Sequence, residues 1–151
     1  MNPESVVIGI GNTFRRDDGV GHVIVERIAE RRIPGVRVMT ATGEPGAILD
    51  AWDGVSRAIV VDAAVGHGVR PGQIHRWTPG DTEVAGVVSS HTLGLAQTYA
   101  LAEALGRVPR ELVVFSIGVA DVGHGVGLTP GVAAAVPEMV EAIQAEVSPA
   151  D

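Results

Sequence analysis

A chain of 151 residues with a formal charge of -7 lacks the basic footprint that a general nucleic-acid binder needs. It contains no Lys and no Cys, which excludes the lysine-bearing phosphate loop, a Schiff-base lysine, thiol catalysis, disulfides and Cys-ligated zinc. Hydrophobic residues make up 46% but aromatic ones only 3%, so the core has to be built from Val, Ile, Leu and Ala, as in strands covered by Ala-rich helices.

The apolar run Val6–Ile10, stopped by glycine, predicts a first strand. Gly19–Arg32 has Val20, Ile24 and Ile28 on one helical face and charges on the other, with Pro34-Gly35 to end it. Val36–Met39 is a second strand, and Gly46–Trp52 a short helix. Arg57–Asp62 is a third strand, expected to end on its acid. Gln73–Trp77, after Pro71-Gly72, suits a short antiparallel edge strand, and Thr78–Val88 a loop. Ser89 and Ser90 are candidate N-caps for a helix reaching Leu105 and closed by Gly106. Glu111–Ile117 is the last strand and Gly118–Thr129 a glycine-rich loop. A final helix then opens with Thr129 at N-cap and Pro130 at N1, burying Val132, Val136, Val140 and Ile143. This order predicts one domain over residues 1–151: a three-layer α/β fold with a mostly parallel, twisted sheet of about five strands and helices on both faces. No apolar stretch reaches the roughly 20 residues of a membrane span. The start, MNPESVVIGIG, has no basic n-region, so a cytoplasmic protein is expected.

The stretch GIGNTFRRDDGVG departs from a dinucleotide fingerprint, because Phe14 stands where G-x-G-x-x-G needs its third glycine. Asp17 and Asp18 in the turn would repel a pyrophosphate. Around Ser116 the G-x-S-x-G elbow lacks its first glycine, with Val114 in its place. In an open α/β sheet, ligands gather at the carboxyl ends of the parallel strands. Asp18 lies just past the first strand, Asp62 ends the third and His91 opens the helix after the fourth, so all three belong to connections that can meet at one sheet edge. Two carboxylates and an imidazole suit a divalent transition metal, or can position a water without one. Each also has a structural reading: Asp18 as a helix-start acid, Asp62 as a turn residue, His91 as a first-turn residue bonded to backbone.

GIGNTFRRDDGVG, VVDAA at Val60–Ala64, SSHTLGL at Ser89–Leu95 and GLTP at Gly127–Pro130 occur in one order. Together they resemble the maturation endopeptidases of nickel–iron hydrogenases. The resemblance implies a peptidase that removes a C-terminal peptide from the hydrogenase large subunit precursor once nickel is inserted. It also implies Asp18, Asp62 and His91 as catalytic, nickel-recognising residues. Nickel would then arrive with the substrate, with no nucleotide, nucleic acid or membrane partner. The family's first acid is often Glu; Asp18 is shorter. Asn12, Asp17, Gly43 and Gly46 are candidate substrate-binding or supporting residues, with Asn12 equally suited to a turn and Asp17 to a solvated helix start. The alternatives are a non-catalytic chaperone for the large subunit, or a nucleotide-using α/β enzyme.

Overall fold

Alternation along the strands sets the layers. The computed structural model describes residues 5–42, 44–66, 69–78, 87–89 and 95–147. Its strands are β1 (Ser5–Ile10), β2 (Val36–Ala41), β3 (Arg57–Gly66), β4 (Ile74–Trp77), β5 (Val87–Ser89) and β6 (Glu111–Gly118). Its helices are α1 (Val20–Glu30), α2 (Pro45–Trp52), α3 (Leu95–Leu105) and α4 (Pro130–Val147), with a 3-10 turn at Arg16–Gly19 ahead of α1. Successive side chains of a strand point to opposite faces. Val7, Ile59, Val61, Val113 and Phe115 accordingly pack with Val20, Ile24 and Ile28 of α1 and with Val132, Met139 and Ile143 of α4. Their neighbours Val6, Ile8, Val60 and Val114 pack with Ile48, Leu49 and Trp52 of α2 and with Leu95 and Ala102 of α3. Two separate apolar cores, one on each face, make the three layers.

The strand order is β2-β1-β3-β6-β4, with β5 paired to the far part of β3. β1, β2, β3 and β6 run parallel, while β4 pairs antiparallel with β6 at the edge, as its Pro-Gly approach suggested. From β1 the chain crosses to β2 on one side, then returns to β3 on the other. α1 and α2 therefore cover opposite faces, and the connections diverge between β1 and β3. The carboxyl ends of two strands at such a divergence are the usual ligand position in sheets of this kind.

Most boundaries differ from expectation by a residue or two, and some differ in kind. β3 does not stop at Asp62 but continues to Gly66. Pairing with β6 carries it to Ala64, and β5 then supports it antiparallel at Ala64–Gly66. Ser89 belongs to β5, opposite Ala64, so it is not a helix N-cap; Ser90 lies outside the described residues. α1 proper starts at Val20 because the preceding four residues wind more tightly, and it ends at Glu30 rather than Arg32. Gly106 does close α3, with φ +67 and the amide of Arg107 donating to the carbonyl of Ala102 at 2.8 Å.

Candidate active site at the carboxyl ends of the parallel strands

The turn after β1 is built on two close backbone approaches. A Cβ on Gly9 would lie 2.3 Å from the carbonyl oxygen of Gly21, and one on Gly11 would lie 1.9 Å from that of Asp18. These glycines let the 3-10 turn and the start of α1 press against the end of β1. The amide of Asn12 donates to Asp18 Oδ2 at 3.0 Å. A carboxylate of the protein thus takes the N–H that a phosphate-binding loop would offer to its ligand. The Asn12 side chain accepts from the amide of Phe14 at 2.9 Å, which makes it a turn-former as well. Asp18 is fully buried, and Arg15 Nη1 stands 4.0 Å from its Oδ2.

Asp17, expected as a solvated acid, is also fully buried. Its Oδ2 accepts from the amides of Ala120 (2.9 Å) and Asp121 (3.0 Å) and from the hydroxyl of Thr129 (2.8 Å), and its Oδ1 from the Thr129 amide (2.7 Å). Burial by itself pushes this carboxyl up. The amides of Thr129, Ala120 and Asp121, with the Thr129 hydroxyl, outweigh it and hold Asp17 below the usual carboxylate range. Thr129 precedes α4 and its carbonyl accepts from Ala133 at 2.9 Å, so Asp17 also sits at the positive end of an 18-residue helix. Sequence reasoning placed Thr129 as a cap and missed that its hydroxyl serves Asp17; the ordered GLTP motif was the available signal.

Asp62 is 4% exposed and pairs in register with Ser116 of β6, whose hydroxyl accepts from the Trp77 indole at 3.2 Å. β1 pairs with β3 only as far as Gly9–Val61, and β5 takes over at Ala64. Asp62 therefore lies in the gap between the two partners, in the strand that the 3-10 turn carrying Asp18 approaches. It shares the face of Val60, the one covered by α2 and α3. Asp18 thus lies past the end of β1, and Asp62 lies inside the neighbouring parallel strand β3, just beyond its last pairing with β1. His91 lies outside the described residues, in the segment between Ser89 and Leu95. Among the described residues, no three His, Asp or Glu side chains are grouped to hold a metal ion.

The other candidates have local duties or lie outside view. Gly43 is outside the described residues. Gly46 is in the first turn of α2, where its amide donates to Glu44 Oε1 at 3.1 Å while Ala47 donates to Oε2 at 3.3 Å. Glu44 is thus the N-cap of α2, with Pro45 at N1. Asp121 is exposed, accepts from the Gly123 amide at 2.9 Å and lies 3.5 Å from Arg16.

Buried carboxylates at a sheet switch point can receive a cation or hold a water beside a carbonyl. The model of the hydrogenase maturation protease family (HycI) matches residues 22–146, starting just past the acid pair. The hydrogenase expression/formation protein HupM of Azotobacter chroococcum mcd 1 is 34% identical over 77% of this chain. The chain spans only 57% of that relative's length. The hydrogenase 2 maturation protease of Escherichia coli K12 is 28% identical over 93% of this chain and 88% of its own. Among solved structures, the hydrogenase maturating endopeptidase HybD of E. coli superimposes with a TM-score of 0.79 at 25% identity, covering 95% of this chain and 91% of that one.

Proposed function

This chain belongs to the hydrogenase maturation protease family, and from that premise we propose that it is an endopeptidase acting on the nickel-loaded large subunit precursor of a nickel–iron hydrogenase. It removes the precursor's C-terminal peptide. The observation that carries this reading is the placement of two buried carboxylates, Asp18 and Asp62, at the β1/β3 switch point. His91 follows two residues after Ser89, which pairs with Ala64 of β3. Two oxygen ligands and one nitrogen ligand form an incomplete set for a divalent transition metal. Such a set gains affinity only when the precursor supplies further ligands, which would make cleavage conditional on nickel loading. Nickel is then part of the substrate. In this reading the same acids orient the water that adds across the scissile carbonyl. Among the described residues no helix is long and apolar enough to cross a membrane.

The test is conversion of the precursor to a shorter product, read by intact mass. Asp18→Ala, Asp62→Ala and His91→Ala are each expected to abolish processing while the far-UV spectrum stays that of the wild type. Wild-type rates from any one of them would remove that residue from the site. A stable complex with no shortened product, from the wild type, would replace the peptidase by a chaperone.

A further inference from the structure

Asp17 has more hydrogen-bond donors around it than a turn acid requires, and all of them come from far along the chain. Ala120, Asp121 and Thr129 are more than 100 residues away. The same two segments are tied again through main chain. Asp17 donates its amide to Asp121 at 2.9 Å, Arg16 donates to Gly125 at 2.9 Å, and Gly125 donates to Phe14 at 2.9 Å. Arg15 and Arg16 add side-chain bonds to the carbonyls of Val122 and His124, both at 3.2 Å. Between these ties Arg16 is held at φ +48, a left-handed conformation that a non-glycine residue keeps only when its surroundings impose it. The turn carrying Asp18 therefore does not hold its shape alone.

We propose that Asp17 is a positioning residue: by gripping the loop ahead of α4 it fixes the 3-10 turn, and through that turn the carboxylate of Asp18. The inference rests on the peptidase reading for its kinetic consequence and on geometry alone for its structural one. Asp17 and Asp18 are consecutive in a single turn of 3-10 helix, so their side chains leave it in different directions. One is anchored to the loop of residues 120–129, the other accepts from Asn12 at the end of β1. All four groups facing Asp17 are donors, so only a group with no hydrogen of its own satisfies them. An amide in its place turns an N–H toward at least one donor N–H or O–H. The turn is then free to rotate, and Asp18 moves with it.

Asp17→Asn separates positioning from simple loop stapling. The chemical shift and exchange protection of the Asn12 amide report where the Asp18 carboxylate sits, and no substrate is needed to read them. The expected result is a changed Asn12 resonance with lost protection, and a kcat for precursor processing lower by roughly 10- to 100-fold with KM within about twofold. Thr129→Ala removes one of the four donors and is expected to move both readouts in the same direction by less; it carries the test if Asp17→Asn does not fold. Loss of protection confined to the amides of Ala120, Asp121 and Thr129, with Asn12 and kcat unchanged, would overturn the proposal and leave Asp17 as a staple for its loop. If the wild type processes no precursor, the peptidase reading fails, and the Asn12 resonance still decides whether Asp17 positions Asp18.

Discussion

The neighbours Asp17 and Asp18 are both buried yet face different partners. Asp17 is satisfied by Thr129, Ala120 and Asp121, whereas Asp18 meets Asn12 and lies near Arg15. Asp17→Asn leaves buried donors opposed, a loss worth about 2–3 kcal/mol of stability by denaturant titration at neutral pH. Its pH dependence has a definite sign. The folded carboxyl lies below the ordinary aspartate value of about 3.9, so its contribution is complete above that value and is lost as pH falls through the folded one. The variant should therefore lose stability less steeply than the wild type below about pH 4; parallel acid limbs would contradict the clamp. Gly11 is as constrained as the acids. A methyl group there meets the Asp18 carbonyl at 1.9 Å, so Gly11→Ala should cost roughly 1–3 kcal/mol and displace the acid-bearing turn. A stability within about 0.5 kcal/mol of wild type would mean that β1 and the turn separate more easily than their packing implies.

At the scale of elements, α4 is held by two kinds of contact of unequal worth. Met139 and Ile143 are fully buried against the sheet, and Met139→Ala should cost about 2–5 kcal/mol. Arg57 and Arg76 pair with Glu146 at the helix end, and Arg31 with Glu141, all at least partly exposed. Arg76→Ala should cost under about 1 kcal/mol. Equal losses in thermal melts of the two variants would put the anchoring of α4 at its end rather than its face. The elements legible in sequence were those with a clear period and a clear stop: α1 through Val20, Ile24 and Ile28, and α4 through Thr129-Pro130 and its valines. β3 was under-read because Asp62 looked like a terminus, whereas a polar side chain on one face of a strand leaves its ladder intact. β5 was missed because Val87–Ser89 is too short to carry a pattern, and its register comes from Ala64–Gly66 of β3. Asp17 was misplaced because nothing local marks its partners; they approach only when the last loop folds back over the first turn.

For the whole molecule, the order β2-β1-β3-β6-β4 bounds how much of a candidate site strand order can indicate before any contact is known. Placing strands in sequence put Asp18 and Asp62 on connections at one edge; Asp62 instead lies inside β3, next to the reversal between β1 and β3 where such sheets usually bind ligands. What order alone leaves open is the set of bonds that tie Asp17 to the glycine-rich loop and the start of α4. Under the proposed function, the acids at this switch point read nickel in the precursor before the chain is cut. The most direct measurement incubates the protein with nickel-loaded and nickel-free large subunit precursor from one source and follows both by intact mass. Loss of a C-terminal peptide from the loaded form alone is the predicted result; equal cleavage of the nickel-free form would contradict it.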